Sequence, residues 1–329
     1  MKRKKCLALF SGGLDSMLAI RLISDQNIAV HALNIDIGFG GDKDKFELMK
    51  RRAAMAGASF EVINMRSKYL QDVLFSPKFG YGKQFNPCID CHGFMFRTVI
   101  SMLEHYGADF VISGEVVGQR PMSQRNDAMV HVKNLALDSN DIVLRPLCAK
   151  LLKPTKPERE GWVDREKLLG LNGRGRSPQL ALAKEFGFED YESPAGGCLY
   201  TMESFSNRIR DFIKFDKEMS EDDLQSLRYG RHLRLPNGAK MIIGRDESDN
   251  LALEALNLEK MNSINFDLIG AHSFISKDAN DDDLVLGARL ALTYTKCEKG
   301  VKHTATIGQK ELEIEPFESK NAAAEFFIK

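Results

Sequence analysis

The sequence predicts an α/β protein: a doubly wound parallel sheet, followed by a second, smaller α+β domain. Three observations predict it. Apolar runs of strand length alternate with helical stretches as far as Leu147, the pattern of a parallel sheet with helices on both faces. The first of these runs breaks into Ser11-Gly12-Gly13 and then into a helical pattern, which makes a strand–turn–helix corner. The texture changes after Lys150, and a hairpin signal built on Asn237-Gly238 follows.

The first strand covers residues 7–10, and Leu14, Met17, Leu18 and Leu22 mark one face of the helix after it. The two glycines between them allow a sharp turn and close approach of a ligand. Such a turn presents unpaired N–H groups at the positive end of a helix, which suits phosphate. Ser11 and Ser16 add hydroxyls. Asp15 suits a phosphate site only through an intervening magnesium ion. No Gly-Lys-Ser/Thr follows, so this is not a Walker A loop. Residues 28–35 form the second strand. Residues 59–65 form the third, after a helix over 45–56. Residues 109–113 form the fourth, after a helix over 94–105, and residues 141–147 the fifth. Ligands of such sheets bind at the carboxyl ends of strands. Asn34-Ile-Asp36, Ser113-Gly114-Glu115 and Arg145-Pro146 lie there with the Ser-Gly-Gly turn.

Lys153-Pro-Thr-Lys-Pro157 is a breaker-rich connection, followed by short helices over 165–170 and 179–186. The domains are read as 1–200 and 205–329. In the second, residues 231–235 and 240–244 pair as a hairpin, and residues 284–294 fit a helix or a strand equally. Asp281-Asp282-Asp283 reads as a solvated loop.

At 329 residues the chain is long enough for two domains, and its composition is that of a soluble globular protein. No apolar run approaches the length needed to cross a membrane. The apolar stretch after the basic start is too short for a signal peptide, so a cytoplasmic protein with no membrane partner is expected. Residues 1–200 hold 28 Lys+Arg against 23 Asp+Glu, and residues 201–329 hold 18 against 23. Long-range electrostatics would therefore draw a nucleic acid to the first part.

Six cysteines in a chain of this length do not make a disulfide scaffold. Asn86-Pro87-Cys88-Ile89-Asp90-Cys91-His92 sets two thiols three apart, able to face one metal or one partner sulfur. Asn-Pro biases the chain away from helix, so the cysteines should begin a helix, where the N-terminus would lower their pKa. Cys198 follows Gly196-Gly197, whose freedom lets it approach another group. Three thiolates suit an iron–sulfur cluster with one open iron, or a persulfide with a resolving cysteine. A structural zinc site with His92 as fourth ligand is the plainer reading of the pair. Cys6, Cys148 and Cys297 are expected to be inert.

Ser11-Gly-Gly-Leu-Asp-Ser16 resembles the signature of the PP-loop ATP pyrophosphatase superfamily, whose fold is adenine nucleotide alpha hydrolase-like. Asn86-Pro-Cys-x-x-Cys91 resembles a segment of the tRNA 2-thiouridine synthetases, and Cys198 is placed like their second, distant cysteine. Residues 112–119, with Ser123-Gln124 and Leu144-Arg-Pro-Leu147, resemble the 4-thiouridine synthetases instead, which leaves the uridine position open. Residues 205–329 resemble a small RNA-binding domain of the NFACT family through Gly230-Arg-His-Leu-Arg234, Ile243 to Asn250 and Gly270-Ala-His-Ser273. Arg228, Arg231, Arg234, Lys240 and Arg245 would supply a local phosphate-binding patch. A capping or dimerisation role for this domain is the alternative, with a homodimer as its consequence.

The resemblance implies ATP-dependent tRNA uridine thiolation. Adenylation of the uridine carbonyl oxygen would be followed by sulfur transfer. Ser11, Gly12, Gly13 and Ser16 would surround the phosphates, with Asp15 near Mg2+. Backbone near Asn34 would meet adenine, and Gly114 and Gln119 would close the pocket. Cys88, Cys91 and Cys198 would hold a [4Fe-4S] cluster; in the persulfide version Cys198 carries the sulfur and Cys88 or Cys91 resolves it. The implied partners are tRNA and a sulfur donor, either inorganic sulfide or a persulfide carrier. Two other classes remain: a PP-loop ATP-dependent ligase or amidase acting on a small molecule, and a non-enzymatic RNA-binding protein that keeps ATP as a structural ligand.

Overall fold

The structure is a computed structural model that describes residues 3–38, 43–192, 198–216 and 218–329. It divides into two compact units, Met1–Cys198 and Leu199–Lys329. Among the described residues of the first unit, five parallel strands run in the order β3-β2-β1-β4-β5. They are β1 (Lys5–Leu9), β2 (Ala29–Asp36), β3 (Ala58–Asn64), β4 (Phe110–Ser113) and β5 (Val143–Leu144). The chain winds outward from β1 to β3, then returns to the other side of β1 for β4 and β5. The order therefore reverses between β1 and β4, the place where ligands of doubly wound sheets bind.

The helices of this unit are α1 (Leu14–Ser24), α2 (Lys43–Ala56), α3 (Arg66–Tyr69), α4 (Cys88–Ser101), α5 (Leu103–Tyr106), α6 (Asn126–Leu135), α7 (Lys156–Arg159) and α8 (Ser177–Glu185). A π-helical turn, Leu70–Leu74, continues α3. Both faces of the central strands are covered. β4 is buried at all four positions, and β1 buries Cys6, Leu7 and Ala8 in succession, the near-continuous apolar run of a parallel sheet. Met17, Leu18 and Ile20 of α1 and Met49 and Ala53 of α2 join this core. The fifth strand is shorter than the sequence suggests. The Asp138 carboxylate takes the N–H groups of Ile142 and Val143 (2.8 and 3.2 Å), so side-chain bonding competes with the ladder there. The helix expected over 94–105 instead begins at Cys88 and breaks at Met102.

Among the described residues of the second unit, six antiparallel strands run in the order β11-β10-β8-β9-β7-β6. They are β6 (Arg231–Arg234), β7 (Lys240–Ile243), β8 (Met261–Asn265), β9 (Ser273–Ser276), β10 (His303–Ile307) and β11 (Lys310–Ile314). Its helices are α9 (Glu203–Phe215), α10 (Glu221–Ser226), α11 (Glu247–Glu254) and α12 (Asp281–Thr293). β6 and β7 form the expected hairpin. The segment that fitted helix or strand is helical, and Leu284, Ala288 and Ala291 of α12 enter the core with Met241 and Ile275.

Asp281-Asp282-Asp283 is a correction. These residues are the first turn of α12, capped by Asn280, whose side chain accepts the Asp283 N–H. Carboxylates there are favoured by the helix dipole. Asp283 is 1% exposed, and it accepts from the N–H groups of Asn237 and Ala239 and from the Asn237 amide. It therefore braces the hairpin turn rather than lying in solvent. No helix among the described residues is long and apolar enough to cross a membrane.

Candidate functional site

The turn after β1 is held from three sides. The Phe10 N–H bonds to the Leu33 carbonyl (2.9 Å), and the Asn34 amide donates to the Phe10 carbonyl (2.9 Å). Gly12 lies at φ +80°, a region that favours glycine, and the Arg52 guanidinium reaches its carbonyl (3.3 Å) while pairing with Asp190 (2.8 Å). Gly13 caps α1 in extended conformation. Its carbonyl accepts from the Ser16 and Met17 N–H groups and from the Ser16 hydroxyl. The Ser11 hydroxyl accepts the Gly13 N–H at 3.4 Å.

Gly114 sits directly against this loop. A β-carbon there would stand 2.5 Å from the Asp15 carbonyl carbon and from the Ser16 nitrogen. Asp15 Oδ2 accepts from Gln119 (2.6 Å) and Arg176 (3.0 Å), and Gln179 orients Gln119 from behind (3.0 Å). Asp15 Oδ1 is buried with no protein donor among the described residues, and so is the Asn34 Oδ1 acceptor. An orphaned carboxylate oxygen beside a phosphate-type loop fits a magnesium ligand. Asp36, two residues beyond Asn34 on β2, is tied to Arg66 (2.7 Å) and to the Gly38 N–H (2.9 Å).

Cys88 opens α4, and Cys91 lies in its first turn. The Asn86 amide donates to the Cys88 sulfur (3.2 Å). Tyr69 acts on Cys91 in the direction that favours its thiolate. Cys198 is exposed and close enough to influence Cys91 electrostatically, as does Cys88. Glu192 forms an isolated parallel bridge with Gly13. Gly196-Gly197, read as the freedom-giving pair, lie outside the described residues. The expectation of a lowered thiol pKa fails at Cys91. Burial around its sulfur pushes the thiol up, and neighbouring Cys198, Cys88 and Asp90 push the same way against the opposing influence of Tyr69. Among the described residues no group of three or more His, Cys, Asp or Glu is drawn together in a metal-holding arrangement.

His92 is not placed as a zinc ligand. Its Nδ1 meets Glu115 Oε1 at 2.7 Å, and its Nε2 meets the Ser123 hydroxyl at 3.3 Å. Glu115 is buried, and its second oxygen accepts from Arg145 (2.7 Å). Burial opposes the charge, but Arg145 and then His92 outweigh it and hold the carboxyl at about 2. A continuous path thus runs along the carboxyl edge of the sheet: the Asp15–Ser16 backbone, Gly114, Glu115, His92, Cys91. Sequence reasoning noted Glu115 and Arg145 only as strand ends. It missed Arg52, Tyr69, Arg176 and Gln179, which carry no motif.

Cys6 and Cys148 are buried thiols of the first unit. Burial first, then Asp109, raises the Cys6 thiol, and burial raises Cys148 to about 11. Cys148 donates to the Glu115 carbonyl and Cys297 to the Leu292 carbonyl.

Residues 4–140 match the family described as tRNA methyl transferase HUP domain, and residues 230–327 match the NFACT protein RNA binding domain. A tRNA-specific 2-thiouridylase MnmA of Petrotoga mobilis is 28% identical over 131 residues, which are 35% of this chain and 36% of that one. An argininosuccinate synthase of Burkholderia pseudomallei is 26% identical over 166 residues, covering 49% of this chain and 36% of that one. The chain spans about a third of the length of these curated relatives. A solved 4-thiouridine synthetase, in complex with RNA and with bound ATP, aligns over 56% of this chain and 41% of that one at 18% identity, with a TM-score of 0.41. Residues 4–140 thus match a HUP-domain family and resemble the tRNA 2-thiouridylases, and they are followed in the same chain by a domain that matches the RNA-binding domain of the NFACT proteins.

Proposed function

We propose that the protein is an ATP-dependent tRNA uridine sulfurtransferase. The observation that carries this reading is the path just described, which joins a phosphate-type loop to Cys91 through Gly114, Glu115 and His92. Activation and sulfur delivery can then act on one carbonyl group, its oxygen and then its carbon, at one sheet edge. The 2-thiouridylase similarity over the HUP domain and the RNA-binding match over residues 230–327 support tRNA as the substrate, which agrees with the expected cytoplasmic location.

Oxide is a poor leaving group, so the uridine carbonyl oxygen would first attack the α-phosphorus of ATP and release pyrophosphate. Sulfur then attacks the same carbon, and AMP leaves. Ser11, Gly12, Gly13 and Ser16 bind the phosphates in this reading, Asn34 lies near the adenine, and Gly114 and Gln119 close the pocket. Asp15, with its orphaned Oδ1, would hold magnesium, which neutralises charge developing on pyrophosphate. The Asp15–Arg176 pair lets the guanidinium turn to the phosphates when Asp15 takes the metal. Cys88, Cys91 and Cys198 form the sulfur site. Their thiol chemistry, with Asn86 donating to the Cys88 sulfur, suits a [4Fe-4S] cluster, which would supply an iron open to sulfide. The same residues serve a persulfide route, with Cys198 as carrier and Cys88 or Cys91 resolving.

The test is sulfur incorporation into unmodified tRNA with ATP and sulfide, run beside anaerobic iron and visible-absorption assays. Cys198→Ala should abolish incorporation while tRNA-dependent pyrophosphate release continues; undiminished incorporation in that variant overturns the sulfur site. Iron present in the wild type and lost in Cys88→Ala selects the cluster, and iron-free protein that thiolates tRNA from a persulfide carrier but not from sulfide alone selects the persulfide. The argininosuccinate synthase similarity favours a second reading, a small-molecule ligase. Pyrophosphate release that ignores tRNA but responds to a carboxylate–amine substrate pair would select it.

A further inference from the structure

The segment that leads into Cys88 carries a feature the ATP and sulfur chemistry leaves unused. Phe75, Phe79, Tyr81 and Phe85 alternate there with Lys78 and Lys83. Phe85 is buried, whereas Phe75 and Tyr81 are each 38% exposed. The Tyr81 ring lies over Phe85 with centroids 4.3 Å apart and planes 31° apart, and Phe75 flanks Phe85 at 6.3 Å. One face of the Tyr81 ring is thus backed by a core aromatic. Its hydroxyl is fixed on the Leu74 carbonyl (2.8 Å).

The segment is rigidly attached to the cysteine helix. Buried Asp90, between the two cysteines, accepts the N–H groups of Lys78 and Phe79 (2.8 and 3.0 Å). Asn86 accepts the Gln84 N–H on its side chain and the Gly82 N–H on its carbonyl. The residues that position Cys88 and Cys91 therefore also position the rings. Lys78 and Lys83 are exposed. Two carboxylates close in sequence are engaged elsewhere: Asp90 is buried in these bonds, and Asp72 faces Arg97 (4.0 Å).

We propose that residues 75–85 are a stacking platform for an unpaired base of single-stranded RNA, presented beside the sulfur-bearing cysteines. Half-exposed rings backed by a buried ring, with lysines spaced along the same strand of chain, are the elements that hold single-stranded nucleic acid: rings take the π-face of a base and ammonium groups take its phosphates. A uridine can react here only when it is out of a duplex, because its carbonyl must reach both ATP and sulfur. This inference rests on the tRNA reading of the same site and names the part of the RNA it receives.

The experiment measures binding by the full chain rather than turnover. Labelled decauridylate and a twelve-base-pair RNA duplex are titrated by fluorescence anisotropy. Tyr81→Ala should weaken decauridylate binding about 10-fold or more, and Tyr81→Phe should hold it within about 2-fold. In Tyr81→Trp the new indole should be quenched by decauridylate and not by duplex, with native Trp162, the chain's single tryptophan, as reference. Equal affinity in wild type and Tyr81→Ala, no wild-type binding of decauridylate, or an indole indifferent to it overturns the platform. RNA binding through Tyr81 without sulfur incorporation would instead overturn the reaction and leave the platform standing.

Discussion

Replacing Gly114 by alanine tests whether the strand-end glycine shapes the nucleotide loop. The added β-carbon would lie 2.5 Å from the Asp15 carbonyl carbon and the Ser16 nitrogen, and 2.7 Å from the Asp15 oxygen. Ordinary carbon contacts are about 3.5–4.0 Å, so the loop must retreat by about 1 Å. All three atoms are backbone, and none can rotate aside. Overpacking of this kind costs roughly 1–3 kcal/mol, and a displacement of about 1 Å at a reacting site costs on the order of 100-fold in rate. Thermal unfolding should fall by several degrees, and calorimetry should show ATP affinity reduced about 10-fold or more. Gly13→Ala is the control. Gly13 has φ −84° and ψ 160°, open to any residue, and its added carbon would meet only the Ser11 hydroxyl at 3.5 Å. It should keep the melting temperature and lose ATP affinity, because the methyl occupies the approach of a phosphate. Wild-type melting and wild-type ATP affinity in Gly114→Ala would refute the reasoning.

Two further predictions concern stability. Glu115 has its folded pKa depressed to about 2 from 4.5, so its stabilisation is complete above the unfolded value and drains away as pH falls from about 4.5 to about 2. The linked free energy is ~3 kcal/mol; Glu115→Gln should flatten that acid limb in urea unfolding and leave Arg145 unpaired, and an unaltered limb rules the account out. Asp283→Ala strips an acceptor from two backbone N–H groups and the Asn237 amide. It should cost about 2–4 kcal/mol and speed amide exchange at Asn237 and Ala239, whereas unchanged exchange would show that the brace is idle.

The sheet, the phosphate-type corner and the β6–β7 hairpin were legible because their signals are local. A buried parallel strand needs a short apolar run, the corner needs Ser11-Gly12-Gly13, and the hairpin needs Asn237-Gly238. Asp281-Asp282-Asp283 misled for the complementary reason. Three acidic residues in a row describe a solvated loop or a helix start equally well, and burial of Asp283 depends on a turn more than 40 residues earlier in the chain. The low-pKa expectation at Cys91 failed similarly. The helix start is local, but the burial around its sulfur and the influence of Tyr69 and Cys198 on it depend on segments distant in the chain.

The sequence by itself determined the α/β class, the order of strands and helices, the position of the phosphate-type loop and the identity of the cysteines near it. Each is a property of spacing and composition within one short window. Only tertiary structure decided that Asp15 meets Arg176 across 161 residues, that His92 pairs with Glu115, and that Gly114 touches the loop backbone. Those contacts join chain segments brought together at the reversal of strand order between β1 and β4, and side-chain partners chosen by such packing leave no periodic trace in the sequence.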